Sequence, residues 1–593
     1  MNFKWTLAYL FLFLFSQVSF SELDRTKYIG IDEIKSGDKA YCLTVYQGTN
    51  IEKFEMEVIS IVKNAKPDIF SSGGKNTILV MGLDERFKHT GPVAGCSGSP
   101  VYIDGRLAGA LAVGFSYSKD PLYGVTPIEE MLTTSEIKQT LPSGGSGGLN
   151  LDYSKPFSID NVVDAYRRSF SLGSQQESLM PLITSLGANE EKFLYDFLGQ
   201  NKFKVFSSSP SGAIPDLDVK LEQGSTVCIP FVSGDISINA LGTVTEVDGN
   251  KVYAFGHPFI GQGAIDLPMS NGYVHTVVST ITTSFKLGQA GKITGAFRND
   301  ESTAIFGIIG EQAPLIRLGI TINAYNDIPR KYNCMLAVHP KLTPMLANVA
   351  MLGAAEMKSG LPDEHLIKYK CSIDIDGYEN IEYENFLCNQ GFTPIAYEWL
   401  GILAAIMDNP YKKVKINSID FQIDTEKRHS ISTINKIAVS DTKLKPGQEI
   451  KVSIITEKYL GGKSSNEITL KVPDDIKDGK YKLTVCGQDY YRKFMIKSMP
   501  QRFVADSIES LIDVIKKSVS TPRKNMYVIL ELGSDGFSLE RAELPAFPPS
   551  KMLVLDSPKR SIQPTPYGRW IEQNIATNDI IMNEISIDIN VEK

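Results

Sequence analysis

Two Asp-Gly dipeptides, each set between short runs of alternating apolar and polar residues, constrain this chain more than any other feature. Val101-Tyr102-Ile103 runs into Asp104-Gly105 and leaves through Arg106-Leu107-Ala108. Thr243-Val244-Thr245-Glu246-Val247 runs into Asp248-Gly249 and leaves through Asn250-Lys251-Val252-Tyr253. A tight hairpin needs turn residues that accept positive φ, and Asp and Gly do. A period of two places every second side chain on one face, so each run buries half of itself. Lys53-Phe54-Glu55-Met56-Glu57-Val58 alternates in the same way, and Thr77-Ile78-Leu79-Val80-Met81 reads as a short buried strand. The chain around both dipeptides is therefore expected to form small antiparallel sheets or barrels.

The whole reads as mainly β with α insertions. Its 593 residues suggest about four domains, and 42% hydrophobic residues exclude a largely disordered chain. A first β region spans 28–135. The Gly/Ser run Ser143 to Gly148 cannot hold regular structure. A helical pattern follows over 160–200, including Asn189 to Leu198, then a turn-rich stretch from Ser207 to Pro215. A second β region covers 219–312, and 313–430 reads as mixed α/β. There Thr343-Pro344 and Thr393-Pro394 each resemble an N-cap with a first-turn proline, and Gly360 is placed to end the first helix. Lys445-Pro446-Gly447 and the run Asp478 to Val485 suggest an immunoglobulin-like β-sandwich over 432–497. Residues 498–593 are expected to hold a helix (504–517), a strand (Met526 to Leu532) and an extended Pro-rich tail.

Lys and Arg number 61 against 68 Asp and Glu, a net charge of −7. No basic surplus is present to compete for phosphate counterions, so nucleic acid is excluded as an expected partner. Met1 to Lys4 starts positive, Trp5 to Phe15 is apolar, and Ser19-Phe20-Ser21 offers small residues for cleavage after Ser21. Residues 1–21 thus read as a signal peptide too short to span a bilayer, the rival being an uncleaved N-terminal anchor. The mature chain is expected in the periplasm, cell envelope or extracellular space, with no stable transmembrane anchor. Seven cysteines are few for a disulfide scaffold. Cys371 and Cys388 are candidates for a bridge, against the alternative that the cysteines are small buried apolar residues. The six histidines lack zinc-site spacing, and neither metal nor organic cofactor is implied.

Gly95-Cys96-Ser97-Gly98-Ser99-Pro100 lies just before the Val101 strand. A nucleophilic serine needs a tight turn with backbone N–H groups converging on the oxyanion, and flanking glycines permit that turn. Ser, Gly and Pro are equally the ordinary composition of a structural turn. A base is offered by Phe255-Gly256-His257-Pro258-Phe259, where Gly and Pro hold the histidine on a rigid turn. A histidine that merely caps a turn is the plain alternative. His89, His275 and His339 are rivals, with His275 inside an alternating strand and better suited to packing.

The stretch from Lys53 to Leu111, centred on Thr90-Gly91-Pro92-Val93-Ala94-Gly95-Cys96-Ser97-Gly98-Ser99-Pro100-Val101-Tyr102-Ile103-Asp104-Gly105, resembles the SpoIVB-type serine peptidase family. Ala240 to His257, and Lys292 to Gly295 through Phe306-Gly307, resemble a second block of it, so the resemblance covers about 28–312. It implies a trypsin-like double β-barrel with a Ser/His catalytic pair, here Ser97 and His257. It also implies an acidic residue upstream of the serine, best matched by Asp84, with Asp266 in reserve. Gly95 and Ser97 would supply the backbone oxyanion donors. The serine block precedes the histidine block, the reverse of the family order, and no PDZ module is recognisable. Cys96 is a conceivable thiol nucleophile, but its side chain is expected to point away from Ser97. The expectation is an exported serine endopeptidase acting on a protein or peptide, or on its own chain at the Gly/Ser run or Ser207 to Pro210. The alternative is a non-catalytic envelope protein that keeps the barrel as a scaffold and docks partners through its C-terminal half.

Overall fold

A computed structural model describes residues 23–64, 76–115, 118–136, 149–171, 181–185, 204–207, 219–261, 263–356, 360–539, 541–545 and 564–592. The expected signal peptide, the Gly/Ser run, the helical pattern at Asn189 to Leu198 and residues 208–215 lie outside the described residues. The fold is mainly β. No helix among the described residues is long and apolar enough to cross a membrane.

The first β region closes on itself. Strands β1 (Lys39–Val45), β2 (Ile51–Lys63), β3 (Asn76–Gly82), β5 (Pro100–Ile103), β6 (Arg106–Gly114) and β7 (Leu122–Pro127) form a barrel in the order β1-β2-β3-β7-β6-β5. The short β4 (Val93–Ala94) leaves it to pair elsewhere. In β2 the expected alternation holds, with Phe54, Met56 and Val58 buried and Lys53 and Glu55 exposed. Phe54 stacks on Phe87 at 4.7 Å between ring centroids and lies 4.6 Å from Tyr46. The helix α1 (Glu85–Thr90) delivers Phe87 into this core and against Tyr123. Asp104 and Gly105 turn the β5–β6 hairpin, with φ of 50° and 75°.

The second β region closes a second ring inside a larger sheet. Two short strands, β8 (Pro181–Thr184) and β9 (Lys204–Ser207), lie at one edge. Then β10 (Thr226–Gly234), β11 (Ile238–Asp248), β12 (Lys251–Ala254), β13 (Gly263–Val278), β14 (Ser284–Asp300) and β15 (Ile305–Ile309) pair in the order β10-β13-β14-β15-β12-β11, and β11 pairs back to β10. In the β11–β12 hairpin Asp248 pairs with Lys251, so the turn residues are Gly249-Asn250, one place beyond the expected Asp248-Gly249. Beyond β10 the sheet continues through Arg330–Ala337, Leu315–Asn323, Ile416–Glu426, Leu366–Ile375 and Ile381–Cys388. The helices Thr343–Glu356 and Thr393–Met407 are apolar almost all round and accordingly buried. The second starts at Thr393 with Phe392 as its N-cap, so Thr393-Pro394 is the first turn itself.

Residues 431–591 build two more sheets. Ile431–Val439, Glu449–Lys458, Lys463–Lys471 and Ile580–Ile581 form one; Gly479–Cys486, Asn525–Leu539, Thr565–Ala576 and Glu584–Val591 supply most of the other. Ile450, Val452, Leu483, Val528 and Ile589 share a single core. The expected sandwich at 432–497 is thus only part of a layered unit completed by the C-terminal strands. Most of the expected Pro-rich tail, residues 546–563, lies outside the described residues, and beyond it Thr565–Ala576 pairs along Asn525–Leu539. The helix runs Ile508–Val519, opened by a Ser507 capping box, slightly later than 504–517. Cys371 and Cys388 are unbridged: Cys371 faces Tyr383 and Cys388 faces Leu366 across the same strand pair.

Replacing Phe54 with Ala removes a fully buried ring from the first barrel and should cost about 3–5 kcal/mol, whereas Phe54→Leu should cost markedly less. Urea unfolding of the two variants beside the parent checks this ordering.

Candidate active site

The serine turn is fixed by its own amides. Gly95 and Gly98 have φ of 98° and 92°, in the left-handed region where glycine is favoured. The N–H groups of Cys96, Gly98 and Ser99 donate to Val93 O, Leu111 O and Cys96 O at 3.1, 2.7 and 2.9 Å. A Cβ on Gly98 would stand 2.0 Å from Thr243 O, so the second ring presses on this turn directly.

The histidine turn follows β12. Phe255 and Gly256 have φ of 69° and 71°. For a buried aromatic residue this conformation is strained, by roughly 1–3 kcal/mol, and persists only where its surroundings enforce it. Thr126 at the end of β7 donates to Gly256 O at 2.6 Å. Beyond His257, the buried carboxylate of Asp300 accepts from the amides of Phe259, Ile260 and Gly261 at 2.6, 2.8 and 2.8 Å. Burial raises the Asp300 pKa to about 6, against the opposing pull of those amides.

Threonines on one face of β11 join the two turns. Thr243 N–H donates to Ser97 O at 2.8 Å, its hydroxyl donates to Gly95 O at 2.9 Å, and the Thr245 hydroxyl donates to Gly98 O at 2.7 Å. Behind them Nζ of the fully buried Lys286 reaches Thr44 Oγ1 at 2.7 Å and Thr243 Oγ1 at 3.2 Å. Burial lowers the Lys286 pKa.

The two turns bring Ser97 Oγ into hydrogen-bond contact with His257 Nε2. His257 Nδ1 lies 2.8 Å from Pro258 O. A carbonyl only accepts, so Nδ1 carries the proton and Nε2 is the bare acceptor facing the serine hydroxyl. That hydroxyl also lies 2.8 Å from Phe255 O, so one proton has two acceptors. Ser97 is 0% exposed and His257 3% exposed. Burial depresses the His257 pKa to about 4, with the Pro258 carbonyl opposing, so the ring is neutral at neutral pH.

Neither expected acid lies on the imidazole. Asp84 caps α1, accepting from Arg86 N at 2.9 Å and pairing with the Arg86 guanidinium at 3.3 Å. Its place just before α1 makes it an N-cap, a role that the residue pattern alone did not separate from that of an orienting acid. Asp266 pairs with Arg298. The ring's hydrogen-bond partners among the described residues are Ser97 and Pro258 O. Cys96 points into the first barrel core, 3.9 Å from Thr44 Oγ1, and burial raises its thiol pKa. His275 lies against Tyr273, and His339 accepts at Nδ1 from the amides of Lys341 and Leu342. His89 ends α1.

Asp300, Thr243, Thr245 and Lys286 were not singled out from the sequence. The Thr-x-Thr spacing in β11 signals two hydroxyls on one face. Asp300 has no local signal, because its partners are amides brought near only by the β13–β14 pair.

The family model described as SpoIVB peptidase S55 matches residues 16–132, the segment that holds the Ser97 turn. The match ends before His257, so the second block, from Ala240 to Gly307, lies beyond it. No curated protein and no solved structure matches the chain.

Asp300→Asn puts an NH₂ group where one carboxylate oxygen accepts amides, so the loop after His257 should loosen. The sign of its pH effect follows from the raised pKa. Folded Asp300 keeps its proton where the unfolded chain has lost it, so this contribution is full below about pH 4 and is lost as pH rises past about 6. Stability curves of parent and Asp300→Asn should therefore differ in slope between about pH 4 and 6, read by thermal unfolding at each pH.

Proposed function

We propose that this chain is a serine endopeptidase, exported to the envelope or beyond, in which Ser97 is the nucleophile and His257 the base. The single observation carrying the reading is the contact between Ser97 Oγ and His257 Nε2, made across two turns distant in sequence. The family match over the serine segment supports it. Ser97 Oγ attacks a peptide carbonyl and its proton passes to Nε2; the imidazolium returns that proton to the leaving amine. Water then cleaves the acyl-enzyme by the same relay in reverse. The backbone N–H groups of Gly95 and Ser97 are assigned to the oxyanion, a donor type whose loss costs roughly 100- to 1000-fold in turnover. The fold context that supports the reading is coarser: the serine turn of the closed first barrel is bonded to β11 of the larger sheet.

Two features distinguish this pair from an acid-supported triad. The Pro258 carbonyl sets the tautomer, as a carboxylate would, but brings no negative charge to stabilise the imidazolium. Ser97 is wholly enclosed, so a substrate reaches it only when the turns part. These features favour a second reading, a scaffold whose serine–histidine contact is structural. The natural substrate class is a protein or peptide, with the chain's own Gly/Ser run and Ser207 to Pro210 as intramolecular alternatives.

A fluorophosphonate probe with intact-mass analysis separates the readings. The parent should gain one probe mass, and Ser97→Ala and His257→Ala none. Labelling retained in Ser97→Ala, or absent from the folded parent, supports the scaffold. Because burial holds His257 neutral down to about pH 4, labelling by the parent should persist to near pH 4. An acid limb near pH 6.5, the ordinary value for histidine, would mean that the ring titrates in solvent.

A further inference from the structure

A cavity of about 520 Å³ opens between the helices Gln488–Ser498 and Ile508–Val519 and the strands Asn525–Leu539 and Thr565–Ala576. Its wall is aromatic. Tyr491 and Tyr527 stack at 4.0 Å between centroids, and Trp570 stands beside them, held edge-on by Phe494 at 5.2 Å.

The polar groups around it sort by whether they are matched. Arg502 forms a forked pair with Glu543 at 2.7 and 3.0 Å. Arg541 meets Asp506 and Asp513, and Lys517 meets Asp513 at 2.7 Å. Every rim cation therefore has an acidic partner. The reverse is not true. Glu572 accepts from Tyr491 Oη at 2.5 Å and Trp570 Nε1 at 2.6 Å, both on Oε2, and has no cationic partner among the described residues. Gln501, 3% exposed, donates through Nε2 to Glu543 at 3.1 Å. That bond fixes the amide orientation, because only the NH₂ end can face a carboxylate. Its Oε1 is buried without a hydrogen-bond partner. A buried acceptor left alone is costly unless a donor arrives.

The cavity thus presents an exposed carboxylate without a cationic partner among the described residues, set beside aromatic faces. We infer that it binds the basic side chain, lysine or arginine, of an extended peptide segment. The ammonium or guanidinium compensates Glu572 and reaches Gln501 Oε1, while its methylene stem lies on Tyr527 and Trp570, where cation–π attraction adds to the fit. A saccharide would use the same aromatic wall. It would also call on charged protein donors, and the rim cations are already engaged by acids. The inference does not depend on the peptidase reading.

The test uses the full chain carrying Ser97→Ala, so that no peptide is consumed. Fluorescein-labelled Gly-Gly-Lys-Gly-Gly and Gly-Gly-Arg-Gly-Gly are titrated by anisotropy at roughly physiological salt, which screens non-specific attraction to an acidic protein. Both should bind, and citrulline or norleucine in the central position should weaken binding about tenfold or more. Glu572→Gln should weaken it comparably. Asn574→Asp, on the same exposed strand face, should tighten it several-fold, which a merely unfolded variant cannot do. Glu467→Gln, on another sheet, should change nothing. Equal binding of the citrulline peptide, indifference to Glu572→Gln, no binding of either basic peptide, or binding of maltohexaose in their place would overturn the assignment.

Discussion

Two threonine hydroxyls and one threonine amide hold this molecule's candidate site together. Thr243 and Thr245 project from the same face of β11 because side chains alternate along a strand. They grip the carbonyls of Gly95, Ser97 and Gly98, all on a turn that belongs to the first barrel. Thr126 returns the grip from the first barrel to Gly256. These bonds are buried, where an unmade hydrogen bond costs more than a made one gains. The turns are thus locked in register, and the serine and the histidine meet as a consequence.

The same enclosure sets the chemistry of the pair. A buried imidazole resists protonation, which keeps His257 a neutral acceptor, and the Pro258 carbonyl decides which nitrogen is bare. Strain at Phe255 is maintained by the packing on both sides and directs its carbonyl toward Ser97. Asp300 supports the loop beyond the histidine through three amides and does not touch the ring. Order comes from backbone acceptors and donors here, whereas an acid-supported triad would use a carboxylate. Lys286 Nζ, sealed behind Thr44 and Thr243, extends that polar network between the first barrel and the larger sheet.

Much of the fold was legible because the signals are local. The alternation in Lys53 to Val58 and the Asp104-Gly105 turn specify strands and a hairpin whatever surrounds them. The one-place shift at Gly249-Asn250 reflects register, which the partner strand sets. The C-terminal tail was read as extended from its prolines, and Thr565–Ala576 at its end becomes a strand by pairing with Asn525–Leu539. Asp84 was matched to an orienting acid by resemblance, and the short helix that it caps became visible only in the structure.

Residue type and spacing alone determined that a serine lies on a glycine-flanked turn, that a histidine lies on a Gly-Pro turn, and that both are bordered by hairpin strands. Tertiary structure decided that those turns touch, that the ring's partners among the described residues are a serine and a carbonyl, and that both side chains are buried. The reason is physical: turn conformation depends on a few neighbouring residues, whereas contact, burial and hydrogen-bond partnership depend on how sheets far apart in sequence close around one another.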